Sequence, residues 1–382
     1  MKKIGIMTFW FSDDNYGQIL QSFALQKYLR NEGYDAFVIK YHPFRKPKKW
    51  FVLFKIISIY PVVRYLIRHL MQKDSQNKIS QLNAKRQFNS FRMQNINFSE
   101  HEYYGAKEIK SNPPIADIYI AGSDQIWHYN YLNEDGVPYF LEFGSNSTLR
   151  LSYAPSFRFV HIPKDREPLL NRVLAKLDGI SVREKSGIDV CKEVGQNAVV
   201  VVDPTLLLEK KDYSSFLVPV PYKDYIYCYI LNIETQEDIK WSQIKEYSLF
   251  ENLHLVVTVS SGYHQMQEWF DNVEYSYSSI PEWLSLIEKS RVFVTTSFHG
   301  VVFALLFHSN FIFVPLTNVS GSNDRLVSLL EPLGLLNRIW DKNRDLKSII
   351  YEKIDWEKVD KNIETYRQSS RAWLIFNLSK CN

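Results

Sequence analysis

Cysteine is scarce in this chain: Cys191, Cys228 and Cys381 are the only three among 382 residues. Their wide spacing fits neither a zinc ligand set nor a disulfide framework, and points to the cytoplasm. A run of about 20 apolar residues is missing, so no membrane-spanning helix is expected. The opening Met1-Lys2-Lys3-Ile4-Gly5-Ile6-Met7 is too short in apolar residues for a signal peptide, and Asp13 and Asp14 follow quickly. It reads as a first strand. Glycine-rich phosphate fingerprints are lacking too. The turn after that strand, Ser12-Asp13-Asp14-Asn15-Tyr16-Gly17-Gln18, holds one glycine, so neither G-x-G-x-x-G nor G-x-x-x-x-G-K-[ST] applies. Charge of one sign is also absent. Forty-six Lys and Arg against 42 Asp and Glu leave +4, too little for a dedicated nucleic-acid binder. No group of His, Cys or carboxylates has metal-ligand spacing, so no metal is expected.

What is present is a globular composition, 45% hydrophobic and 15% aromatic, on a chain too long for one ordinary core. Short β-rich runs at 3–9, 36–41, 117–121, 150–154, 179–182 and 198–202 alternate with helical patterns such as 18–32 and 165–177. After Val218-Pro219-Val220-Pro221 the alternation restarts at 225–231, 253–259, 291–295 and 311–315. The fold class is therefore α/β, two Rossmann-like lobes with a cleft between them. The expected boundaries are 1–215, 216–350 and a closing C-terminal helix in 351–382. One segment breaks the pattern. Residues 45–73 interleave lysines and arginines with Trp50, Phe51 and Leu53, and contain no acid. They read as an interfacial membrane element or as a surface helix pair broken at Pro61.

The polar turns lie just past the expected strands, where open α/β sheets place ligands. Thr295-Thr296-Ser297-Phe298-His299-Gly300 ends one strand and opens an apolar helix, offering a histidine beside free N–H groups. In Gly122-Ser123-Asp124-Gln125-Ile126-Trp127, Asp124 can orient or deprotonate a hydroxyl and Trp127 can stack on a ring. Caps over a core tryptophan are the plainer reading. Asn15 either receives a ligand or caps its helix. Arg183 either reinforces an anion site or bridges to Glu184 or Asp203. Asp203 is read mainly as a turn residue held by Pro204. Arg158 and Arg325 arrive on further polar loops. Together these positions suit a small, multiply charged anion and a histidine that carries a proton.

With these residues in view, the chain resembles the polysaccharide pyruvyl transferase family over roughly residues 3–340. The resemblance rests on Asn15-Tyr16-Gly17 with Leu20-Gln21, Gly122–Trp127, Ser152-Tyr153-Ala154-Pro155-Ser156, Ser181-Val182-Arg183-Glu184, Asp203-Pro204-Thr205-Leu206 and Ser297-Phe298-His299-Gly300. It implies a GT-B-type enzyme that transfers pyruvate from phosphoenolpyruvate to a sugar as a ketal, with no further cofactor. It also implies His299, Asp124 and Arg183 in catalysis. Arg183, Ser297, His299, Gly300, Arg325 and Arg158 would bind the donor. Asn15, Tyr16, Asp124 and Trp127 would bind the acceptor, and Asp203 would support the site. Many relatives carry an arginine where this chain has Ser297, so the second cation must come from Arg325 or Arg158. The acceptor implied is a polyprenyl-diphosphate-linked saccharide, probed first as galactose, met at the cytoplasmic membrane face through residues 45–73. A nucleotide-sugar glycosyltransferase and a non-catalytic polysaccharide-assembly protein are the competing readings.

Overall fold

The computed structural model describes residues 1–43, 81–260, 270–316, 323–341 and 344–381. The basic aromatic segment 45–73 lies outside the described residues. In the first half, β1 (Lys3–Met7), β2 (Asp35–His42), β3 (Phe98–Tyr104), β4 (Ile118–Ala121) and β5 (Leu149–Ser152) form one sheet in the order β3-β2-β1-β4-β5. Next, β6 (Ser181–Val182) and β7 (Val199–Val200) pair with each other. The second half repeats the first pattern. There β8 (Tyr225–Ile230), β9 (His254–Val259), β10 (Glu274–Tyr275), β11 (Val292–Thr295) and β12 (Phe311–Phe313) lie in the order β10-β9-β8-β11-β12. Every pairing in both sheets is parallel. Parallel strands are covered on both faces, which explains continuous buried runs such as Tyr225–Ile230.

Two expectations need correction. The segments at 179–182 and 198–202 were expected as members of the first sheet, but they form a separate two-stranded ladder. A single Leu151–Gly179 bridge joins it to β5. The serines explain the break. Ser152 Oγ donates to Ser181 O at 2.9 Å and accepts from Ser181 N at 3.0 Å, so side chains replace the next ladder bonds. The edge strand β3 was also missed, because its sequence Phe-Ser-Glu-His-Glu-Tyr-Tyr carries the charges that sheet edges favour.

In both sheets the order reverses at the centre, between β1 and β4 and between β8 and β11. Each reversal leaves a crevice outside the carboxyl ends of those strands. The halves share one apolar core. Tyr16 stacks on Trp283 with ring centroids 4.9 Å apart, and Tyr213 meets Phe303 edge-on at 5.0 Å. The C-terminal helix Trp356–Leu378 runs back onto the first half. There Arg367 Nε donates to Leu206 O at 2.6 Å, and Ser370 Oγ accepts from Val202 N at 3.0 Å. It touches the second half as well, through Asn362 to Pro332 O at 3.2 Å.

Candidate active site

The two crevices meet in one cavity of about 180 Å³. From the first half come Asn15 and Gln18 after β1, Asp124 and Gln125 after β4, and Arg158 after β5. The second half adds Asn232 after β8, Ser297, Phe298 and His299 after β11, and Arg325 from the helix Asp324–Leu333.

The histidine sits at the start of the helix Phe298–Phe307. Ser297 caps it, its Oγ accepting from Gly300 N at 3.2 Å, while Ser297 N donates to Thr295 Oγ1 at 3.0 Å. The Phe298 and His299 amides have no acceptor among the described residues. They leave the positive end of a ten-residue helix facing the cavity. His299 Nε2 stands 3.4 Å from Asp203 Oδ2 in poor hydrogen-bond geometry and has no hydrogen-bonded partner among the described residues. The carboxylate is already occupied. Asp203 Oδ2 accepts from Ser123 Oγ at 2.8 Å and Arg183 Nη1 at 2.9 Å, and Oδ1 accepts from Thr205 N and Oγ1. Burial pushes the Asp203 carboxyl up, but His299, Arg183 and Thr205 outweigh it and hold it well below the usual carboxylate range.

The other wall is cationic. The Gln125 carboxamide lies between Arg158 and Arg325. Its oxygen stands 3.3 Å from Arg158 Nη1 in one orientation, and 3.0 and 2.8 Å from Arg325 Nη1 and Nη2 in the other. The amide oxygen faces only one guanidinium in each orientation, so among the described residues the other lacks this acceptor. Burial above all, and then the neighbouring Arg183, push Arg325 down to about 10. Complete burial raises the carboxyl of nearby Glu184 above its usual range, against the opposing pull of Arg183 and Arg325. Asp124 and Arg158 sit at φ 80° and 59°, left-handed conformations that cost energy for non-glycine residues. Ser156 N donates to Asp124 O at 2.8 Å and ties the two loops together. An anion with two charged ends would satisfy these donors.

The family model of polysaccharide pyruvyl transferase matches residues 15–318. The chain belongs to that family. It is therefore a pyruvyltransferase of polysaccharide biosynthesis. Over its length the structure resembles the UDP-GlcNAc 2-epimerase of Methanocaldococcus jannaschii in complex with UDP-GlcNAc and UDP. That match has a TM-score of 0.54 and 11% identity, and covers 98% of this chain and 99% of that one. The UDP-N-acetylglucosamine 2-epimerase from Rickettsia bellii follows at TM-score 0.50 and 9% identity, covering 100% and 97%. At these identities the likeness shows the fold, two Rossmann-like lobes of the GT-B type. No curated protein matches the chain.

Within this pyruvyltransferase the expected site residues divide. His299, Ser297, Arg325, Arg158, Asp124 and Asn15 all line the cavity. Asn15 also caps its helix, accepting from Gln18 N at 3.1 Å. Four placements are corrected. Arg183 does not line the cavity: its side chain is 1% exposed, paired with Asp203 and covered by the Phe298 ring at 4.6 Å. The Gly300 amide is taken by Ser297, and a Cβ there would lie 2.7 Å from Thr295 Oγ1, so the glycine serves close packing. Trp127 is fully buried, stacked on Phe140 and bonded through Nε1 to Tyr139 O at 3.1 Å. Tyr16 is buried between the lobes, where its hydroxyl donates to Ser278 O at 2.6 Å and accepts from Arg86. Gln125 and Phe298 were overlooked inside motifs already singled out, each next to a more conspicuous neighbour.

Gly17 has a defined task at this joint. A Cβ there would lie 2.1 Å from His299 Nδ1 and 2.3 Å from its Cγ. Helix propensity favours Gly17→Ala by about 1 kcal/mol, whereas the clash demands that the imidazole leave its place. We expect the clash to win. The variant should melt lower by about 1–3 kcal/mol of stability and lose most of its turnover, read by thermal unfolding and phosphate release. A variant that melts higher with full turnover would show that the ring has room to move.

Proposed function

We propose that this enzyme moves pyruvate from phosphoenolpyruvate onto two hydroxyls of one sugar in a lipid-linked cell-surface polysaccharide precursor, galactose being the first acceptor to test. The observation that carries the reading is the cavity itself, with two arginines that share one amide acceptor and a helix N-terminus beside a histidine nitrogen that has no hydrogen bond among the described residues. Phosphoenolpyruvate brings a carboxylate for one guanidinium and a phosphate for the other and for the helix amides.

His299 then delivers a proton to the methylene carbon, which becomes a methyl group, and C2 becomes oxocarbenium-like. A sugar hydroxyl attacks C2 and gives up its proton, with Asp124 as the base lining the cavity. The C2–O bond to phosphate breaks, and the second hydroxyl closes the ketal. Of the two hydroxyl protons lost, one replaces the proton spent on the methyl group and the other leaves on hydrogen phosphate. Arg158 and Arg325 stabilise the departing phosphate.

The test is phosphate release from phosphoenolpyruvate with lipid-linked galactosyl acceptors, alongside calorimetric titration of the donor. The wild type should release phosphate only with acceptor. Arg325→Gln should weaken donor binding about ten- to a hundredfold, the worth of one charge-assisted contact. Absence of donor binding, together with a thermal shift from UDP-sugars, would replace this reading with glycosyl transfer.

A further inference from the structure

A second cavity, of about 220 Å³, opens beside the first and shares Phe9 and Gln18 with it. Its described walls come from the first lobe: the segment after β1, the end of β2, and the 3₁₀ turns near Tyr131 and Tyr139. The contrast in chemistry is sharp. Among the described residues no Lys, Arg, Asp or Glu lines this cavity. Its polar groups are an imidazole, phenols and the Gln18 carboxamide, set among aromatic faces.

Those faces are held in place at some cost. Phe11 is 54% exposed, yet the guanidinium of the buried Arg92 lies 4.9 Å from its ring centre. Arg92 is itself fixed by Asp13 at 3.2 Å. Trp10 Nε1 donates to Tyr41 O at 3.1 Å, and the floor tyrosines Tyr41 and Tyr139 meet edge-on at 5.3 Å. An exposed aromatic ring that is locked in this way loses little freedom when a ligand covers it.

The imidazole is His42, the last residue of β2. It stacks on Tyr104 at 4.7 Å, and Nε2 lies 2.7 Å from Glu102 Oε1, which also accepts from the Tyr104 hydroxyl at 2.8 Å. With Nε2–H directed to the carboxylate, the neutral ring keeps its lone pair on Nδ1. That nitrogen has no partner among the described residues. Gln18 stands on the boundary of the two cavities, and its side-chain amide likewise has no partner among the described residues.

We infer that this cleft is the acceptor subsite: it takes one uncharged pyranose ring against Phe11 and Trp10, with His42 accepting a hydroxyl proton in a hydrogen bond and Gln18 presenting the next hydroxyls to the donor cavity. The inference rests on the pyruvyl-transfer reading, which supplies the anion next door. Glu102 is a positioning residue for His42.

Ligand-observed NMR with methyl glycosides of galactose, glucose, mannose and N-acetylglucosamine tests it on the full chain. Wild type, Phe11→Ala and His42→Gln are compared, and each is titrated separately with phosphoenolpyruvate and checked by thermal melting. At least one glycoside should bind the wild type, weaken about tenfold in both variants, and leave donor affinity within twofold. Folded variants that bind every glycoside like the wild type, or a wild type that binds none, overturn the subsite. So does a UDP probe that the same substitutions displace. Glycoside binding lost in the variants without any phosphoenolpyruvate binding to the wild type would keep the subsite and remove the donor reading instead.

Discussion

A His299→Gln variant is expected to keep phosphoenolpyruvate affinity within a few-fold of the wild type and to lose about two to four orders of magnitude in kcat, the usual worth of a positioned general acid. The imidazole lines the cavity with only 7% of its surface exposed. Its Nε2 lies within charge range of Asp203 without being hydrogen-bonded to it. Glutamine keeps the polarity and approximate size but cannot pass a proton on. Donor binding should persist because Arg158, Arg325 and the helix amides hold the anion. The separation of kcat from affinity is the informative readout. A parallel loss of donor binding would make His299 a phosphate ligand instead of the acid.

The second large effect is expected at Asp203. Asp203→Asn should cost about 3–5 kcal/mol of stability, the range for breaking a buried ion pair from one side. Its side chain is fully buried, and removing the charge leaves Arg183, itself 1% exposed, with only the longer pairing to Asp124 Oδ1 at 4.0 Å among the described residues. The same carboxylate bonds Ser123 and caps the turn Pro204–Leu206, so three segments loosen together. The pH dependence follows from its direction of shift. Burial raises the carboxyl, but His299, Arg183 and Thr205 lower it further, and the folded form sits well below the unfolded value of about 3.9. A depressed carboxyl contributes its full stability above the unfolded value and loses it as pH falls below. Denaturant midpoints should therefore drop below about pH 4 in the wild type, with a flatter acid limb in Asp203→Asn. Equal slopes in both proteins would locate the acid sensitivity elsewhere.

The doubly wound halves were legible because parallel strands are nearly continuous apolar runs between helical patterns, as in Tyr-Ile-Tyr-Cys-Tyr-Ile at 225–230. The β3 edge escaped for the opposite reason, since a strand with one exposed edge is free to carry Glu and His. At the site, the sequence located the loops but not the direction of each side chain. Asp124 and Trp127 stand three residues apart in one motif. The turn at Asp124, bridged to Pro155, leaves the carboxylate in the cavity and sends the indole into the core. Arg183 illustrates the same limit. A basic residue at a strand end reads as an anion ligand until its distance to a buried acid is known. Gln125 was passed over because a neutral amide attracts no notice beside an aspartate and a tryptophan, although it sits between the two guanidiniums that matter.

The contact of His299 with Gly17 and Asp203 also bears on how such a protein can change by descent. The histidine belongs to one half of the chain, while the glycine that makes room for it and the carboxylate that faces it belong to the other. Neither half can be exchanged with that of a distant cousin unless the newcomer brings the same small residue and the same acid. Recombination at the Val218–Pro221 link would cut through the shared core and separate the histidine from both partners, yielding inert hybrids. The two halves are bound to be inherited as a pair.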